Sequence, residues 1–148
     1  MEKNEVKRIP GKVEIEYNWT VGRTATKFFK ELKENKKILG SRCTKCKKVY
    51  IPPREYCPEC FEKTDWKELS DKGTVQTFTV VHYTFPHQPL KPPYVLGIVK
   101  LDGADTGISH LIGGVDFDKI KVGMRVQAVW EDKREGKMQD IRYFKPMK

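Results

Sequence analysis

Four cysteines stand in two close pairs, Cys43-Thr44-Lys45-Cys46 and Cys57-Pro58-Glu59-Cys60, with ten residues between the pairs. Two thiols three positions apart on a tight turn can face a common centre while the turn's amides support the sulfurs. Two such turns facing each other complete a tetrahedral shell of four thiolates. The gap is shorter than the roughly 15–20 residues of the commonest paired pattern. It still holds a minimal hairpin, in which Lys48 to Ile51 read as a strand and Pro52-Pro53-Arg54 as its return. Two disulfides, a reactive dithiol or four unrelated buried cysteines would use the same residue types, but the paired spacing favours a metal. No other feature asks for redox work, which favours zinc, although the same four-thiolate shell binds iron in rubredoxin-like proteins. With Cys43, Cys46, Cys57 and Cys60 filling every position, the ion would be structural, contributing on the order of 10 kcal/mol to a segment too small to hold itself in shape.

Other candidates for chemistry are sparse. His82, His87 and His110 lie far apart; His82 and His110 fall in predicted strands, where a hydrogen-bonded structural role is expected, and His87 falls in a proline-rich loop. Asp102 and Asp105 flank Gly103, and turn chemistry accounts for them. There is no glycine-rich phosphate loop, nucleophile elbow or His-Glu metalloprotease helix. These parts do not build a self-contained enzyme, and no residue is assigned a catalytic role.

The elements that must position the cysteines divide the chain into three pieces: 1–37, a polar tail and helix; 38–64, the ribbon; and 65–148, a barrel. From Thr24 to Asn35, Ala25, Phe28, Phe29 and Leu32 recur at helical spacing, with Thr24 as N-cap and Lys27, Lys30 and Lys33 turned outward. Tyr17, Trp19 and Gly22 are expected to form a shorter helix or turn docked on that helix. Beyond the ribbon, segments 74–85, 94–101, 107–112, 125–131 and 139–144 carry strand signals, with a helical turn or loop at 116–122. Five short strands in so few residues suggest a small closed barrel, since closure removes exposed edges. The run from Pro86 to Pro93 is too rich in proline for a sheet interior and makes an exposed, stiff loop.

The 148 residues carry 29 Lys plus Arg against 20 Asp plus Glu. The excess is local: Arg23 to Lys48 hold ten basic residues against Glu31 and Glu34. A solvated helix face with charge compensation for a four-thiolate centre explains part of it; a site for an anionic ligand or partner is the sharper reading. No apolar run is long enough for a membrane helix, and the N-terminus lacks the apolar stretch of a signal peptide, so the chain is expected to be cytoplasmic with no membrane partner. Because the barrel piece is nearly neutral, a single-stranded nucleic-acid module is the weaker alternative.

Four runs, Tyr17-Asn18-Trp19-Thr20-Val21-Gly22-Arg23, Phe28-Phe29, Ile38-Leu39-Gly40-Ser41-Arg42-Cys43 and Val49-Tyr50-Ile51-Pro52-Pro53-Arg54, together with the second cysteine pair, resemble the acyl-CoA-associated zinc-ribbon/OB-fold family. Gly73-Thr74-Val75, Pro93-Tyr94-Val95, Val99-Lys100-Leu101-Asp102 and Val122-Gly123-Met124-Arg125-Val126 resemble its OB-fold half. The resemblance implies a mainly β chain with an N-terminal helical segment, a rubredoxin-like zinc ribbon and a C-terminal five-stranded OB-fold barrel. It implies a non-catalytic subunit that, in archaea, bridges an acetoacetyl-CoA thiolase and a hydroxymethylglutaryl-CoA synthase in the mevalonate route to isoprenoids. Coenzyme A would then be a possible shared ligand. Arg23, Lys27, Lys30, Lys47, Lys48 and Arg54 could contact its phosphates, and Tyr83, Phe85 and His87 in the stiff loop could face a partner.

Overall fold

The computed structural model describes residues 7–86, 88 and 90–147. His87 lies outside the described residues. One helix, α1 (Gly22–Asn35), precedes two β units. Phe28 and Leu32 form its buried stripe, with Phe29 packed alongside. The helix starts two residues before Thr24, and its first turn has no side-chain cap; Val21 occupies the cap position. Gly22, at φ 79°, takes the left-handed conformation that turns the chain into the helix. At the other end Lys36 is left-handed and its N–H donates to the Glu31 carbonyl, while the Arg134 guanidinium donates to the Lys33 carbonyl at 2.8 Å. The expected docked turn at Tyr17 and Trp19 is absent: both rings are exposed and pack edge to face on each other.

The ribbon is a three-stranded sheet in the order β2-β1-β3, made of β1 (Ile38–Cys43), β2 (Val49–Tyr50) and β3 (Thr64–Leu69). Strand β2 pairs with β1, and β1 pairs along its full length with β3, from Ile38 opposite Leu69 to Cys43 opposite Thr64. The hairpin therefore wraps the first cysteine pair rather than filling the gap between pairs, and Pro52-Pro53-Arg54 forms no returning strand. Proline has no N–H for a ladder, and the next strand, β3, forms beyond the second cysteine pair and pairs with β1, not with β2.

Five further strands, β4 (Lys72–Val81), β5 (Tyr94–Leu101), β6 (Ile108–Ile112), β7 (Arg125–Trp130) and β8 (Ile141–Pro146), close a barrel in the order β4-β5-β6-β8-β7. Antiparallel ladders join all neighbours except β6 and β8, which meet in parallel at Ile112 and Phe144. Period-two burial on β5, β6 and β7 fills the interior with Val95, Val99 and Leu101, with Ile108, His110 and Ile112, and with Val126 and Ala128; β8 adds Ile141 and Phe144, three positions apart. Gly73 is required where β4 passes β5, since a Cβ there would sit 2.4 Å from the Lys100 carbonyl oxygen. A short 3-10 turn at Phe117–Lys119 matches the helical turn expected between β6 and β7.

One apolar core runs through both units, joining Phe28 and Leu32 of α1, Ile38, Val49 and Ile51 of the ribbon, and the barrel interior. A polar strap fixes their relative orientation. In the β5–β6 turn the Asp105 N–H donates to the Val49 carbonyl at 2.8 Å, and the Asp105 carboxylate accepts the Val49 N–H at 2.8 Å. The Thr106 hydroxyl accepts the Ile51 N–H at 2.8 Å and donates to the Ile51 carbonyl at 3.0 Å.

Candidate metal centre and basic cleft

The two cysteine turns are built alike. Cys43 N–H donates to the Lys48 carbonyl and Lys47 N–H to the Cys43 carbonyl; Cys57 N–H donates to Glu62 and Phe61 N–H to Cys57 in the same pattern. The residue after the second cysteine of each pair, Lys47 and Phe61, is left-handed at φ 64° and 58°. That bend brings the following amide back over the sulfurs. The N–H groups of Lys45 and Cys46 both point at the Cys43 sulfur at 3.4 Å.

All four sulfurs lie within 4.8 Å of one another, and Cys46 and Cys57 are 3.7 Å apart. A tetrahedron with Zn–S bonds of about 2.3 Å has sulfur–sulfur edges of about 3.8 Å, so the spacing suits a shared ion and is far too long for a disulfide. Cys43 and Cys57 are buried, and Tyr50 hydroxyl lies 3.3 Å from the Cys57 sulfur. Burial opposes a thiolate at Cys57, but the hydrogen bonds from Tyr50 and from the Cys60 and Glu59 amides outweigh it and bring its pKa down to about 6. The donors that would support a metal-bound thiolate are thus already aimed at the Cys57 sulfur. Among the described residues the shell holds four soft donors and no fifth, the donor set of a structural zinc.

Beside the ribbon sheet lies a cleft of about 260 Å³, lined by Arg23 and Lys27 of α1, Arg54 after the Pro-Pro turn, and Lys63, Thr64 and Trp66 at the start of β3. The Lys27 ammonium sits 4.6 Å from the centre of the Trp66 ring, a cation–π contact. Among the described residues none of these four cations forms an ion pair, and Glu55 is the one acidic group in the lining. Of the six cations picked from the sequence, the fold gathers Arg23, Lys27 and Arg54 here. Lys30 lies a turn further along α1, 3.9 Å from Glu34. On the first cysteine turn Lys47 bonds to the Thr44 carbonyl, and Lys48 pairs with Glu59 at 2.5 Å. Lys63 and Trp66 join the cleft without any spacing signal, because only the β1–β3 pairing brings them opposite α1.

Tyr83 and Phe85 are exposed beyond the end of β4, their rings 6.2 Å apart. Phe85 also borders an apolar groove with Leu90, Tyr94, Leu96, Leu111 and Met138. His82 lies just past β4, exposed, against Phe117. His110 points into the barrel, where its Nδ1 accepts the Leu111 N–H at 2.8 Å and its Nε2 donates to the Met138 carbonyl at 3.1 Å. Burial holds its pKa below the ordinary imidazole value. It is a satisfied structural histidine. Asp102 is bound by both guanidinium nitrogens of Arg125 at 2.6 and 2.5 Å, which holds its carboxyl below the usual range. Among the described residues no helix is long and apolar enough to cross a membrane.

Residues 31–65 match the ChsH2 rubredoxin-like zinc ribbon domain and residues 66–131 the ChsH2 C-terminal OB-fold domain. A DUF35 domain-containing scaffold protein of Methanocaldococcus jannaschii is 35% identical over 125 residues, covering 80% of this chain and 88% of that protein. A protein of the same description from Methanothermobacter thermautotrophicus is 33% identical over 100 residues, covering 66% and 74%. The chain is also 32% identical over 104 residues to a probable enoyl-CoA hydratase alpha subunit of Thermomonospora curvata, of which it spans only 32%. Among solved structures, a chain of the Ltp2-ChsH2(DUF35) aldolase superposes with a TM-score of 0.67 at 28% identity, covering 87% of this chain and 98% of that one. A DUF35-family protein of unknown function from Sulfolobus solfataricus superposes with a TM-score of 0.65 at 25% identity, covering 85% and 87%. The chain belongs to the DUF35 family in its ChsH2-type form, a zinc ribbon followed by an OB-fold.

Proposed function

We propose that the chain is a non-catalytic scaffold that joins an acetoacetyl-CoA thiolase to a hydroxymethylglutaryl-CoA synthase, so that acetoacetyl-CoA passes between them. The observation that carries the reading is the rigid junction of two small units, each with its own outer surface, in a chain whose relatives are named scaffold proteins. Cys43, Cys46, Cys57 and Cys60 hold structural zinc, and no residue of this chain performs chemistry. Condensation by a thiolase is unfavourable on its own. Holding it beside an irreversible synthase step keeps the intermediate at high local concentration without lowering any barrier.

In this reading the basic cleft takes the phosphates of coenzyme A. Two arginines supply planar donor forks for phosphate oxygens, two lysines supply point charges, and Trp66 supplies a flat face for a purine. At about 260 Å³ the cleft is smaller than the roughly 300–1,000 Å³ of a pocket for a whole drug-sized ligand. It would hold the phosphate end of the molecule and leave the acyl end to the enzymes. Affinity purification of the native protein should recover a thiolase and a synthase. Recovery of RNA or ribosomal proteins in their place would refute the scaffold.

A further inference from the structure

We propose that residues 12–21 are a docking strand, an extended arm that adds to an exposed sheet edge on one of the two enzymes joined by this chain; the partner's identity rests on the scaffold reading above. Val13, Ile15, Tyr17, Trp19 and Val21 alternate strictly with Glu14, Glu16, Asn18 and Thr20. Such a two-residue period, with β-branched and aromatic residues on the apolar side, is the pattern of a half-buried strand. Wound at 3.6 residues per turn, the same five side chains would scatter around the helix.

Yet nothing among the described residues covers them. Val13, Ile15, Tyr17 and Trp19 are 71–83% exposed and Val21 54%. Among the described residues no backbone hydrogen bond involves residues 7 to 19, and the arm's one ion pair is internal, Lys12 with Glu14. A continuous apolar row left in water marks an interaction surface.

The chain's own sheets do not suit the arm. The barrel closes in strand order, and its unpaired stretches are short, on β4 beyond Val75 on its β7 side and on β6 before Ile112 on its β8 side. Strand β2 is two residues long. The outer edge of β3 is free and lies beside the start of α1, but its exposed positions Asp65, Trp66 and Glu68 include only one apolar side chain to set against the arm's five. A partner must therefore supply both a strand edge and an apolar trough beside it. Two aromatic side chains bury roughly 150–250 Å² each, and with three aliphatic ones the arm covers on the order of 600 Å², most of the roughly 800 Å² that one side of a standard interface contributes. Backbone pairing would supply register and the alternate side chains specificity.

The test uses the full zinc-loaded chain with recombinant thiolase and synthase from the same organism. The double variant Tyr17→Ser/Trp19→Ser should bind one of the two enzymes on the order of 100-fold more weakly, whereas Glu14→Gln/Glu16→Gln should stay within about threefold of the parent, since that face is not buried against the partner's trough. Zinc content and melting temperature should not change in either. Hydrogen exchange should show fast amides throughout 12–19 in the free chain and protection of alternate amides in the complex. Unchanged affinity of the Tyr17/Trp19 variant while the parent binds would overturn the docking strand alone. Arm-dependent self-association of the isolated chain, seen by light scattering, would overturn it in favour of a second copy. If the parent binds neither enzyme, the scaffold reading falls and this inference with it.

Discussion

Removing the Thr106 hydroxyl tests whether ribbon and barrel act as one body. Thr106→Val keeps the side-chain shape but deletes the oxygen that both accepts the Ile51 N–H and donates to the Ile51 carbonyl. Ile51 is 2% exposed, so its amide and carbonyl have little water to turn to. An unsatisfied buried group costs about 1–3 kcal/mol. With two groups affected and some rescue of the carbonyl by its second lone pair, the expected loss is about 2–3 kcal/mol. Thr106→Ser retains the hydroxyl and should lose less than about 1 kcal/mol. Urea unfolding of the zinc-loaded protein, followed by tryptophan fluorescence, measures both. Native-state hydrogen exchange supplies the local readout: the Ile51 amide should exchange faster in Thr106→Val, while β7 and β8 amides should change by no more than the loss of global stability. Equal stability of the valine and serine variants would refute the strap, as would an Ile51 amide whose protection does not depend on residue 106.

Three further outcomes follow from the geometry. Cys43→Ser/Cys46→Ser should abolish metal retention in elemental analysis and melt the ribbon amides, since shells of this kind contribute on the order of 10 kcal/mol; an unchanged melting temperature would contradict the structural role of the ion. Asp140→Ala should destabilise the fold by about 3 kcal/mol in denaturant titration, because the buried carboxylate accepts the N–H groups of Glu135, Gly136 and Lys137 at 2.8, 2.8 and 3.4 Å. For His110 the unfolded chain has the ordinary pKa of 6.5 while burial holds the folded value lower. The unfolded state therefore takes up the proton first, so the His110 contribution to stability is level above pH 6.5 and turns unfavourable as pH drops below it. His110→Gln should flatten the slope between pH 6.5 and 5, as read from the unfolding midpoint at each pH.

The barrel strands were legible because each carries its own signal. Period-two burial in β5 and β6 is written directly in Tyr94–Leu101 and Ile108–Ile112, and the cysteine spacing is local chemistry that needs no tertiary partner. What escaped depends on contacts between distant residues. Strand β3 shares a sheet with β1 because Leu69 lies opposite Ile38, a pairing that no local pattern reveals. Asp105 reads as an ordinary turn residue and acts as half of a strap to Val49, 56 positions away. Thr24 has a good capping side chain, yet the helix begins at Gly22, whose freedom at positive φ sets the entry. The cationic run from Arg23 to Lys48 predicted a basic site but could not separate lysines held by Glu59 or a turn carbonyl from those facing Trp66.

The order of strands along the chain also sets an order of assembly. All four sulfurs fall between residues 43 and 60, and the ribbon sheet is complete at Leu69, whereas the barrel closes only when β8, the last strand, inserts between β6 and β7. During synthesis from the N-terminus the ribbon can therefore take its ion and fold while the barrel still lacks its closing strand. Val49 and Ile51 then stand ready as a fixed template when the β5–β6 turn emerges.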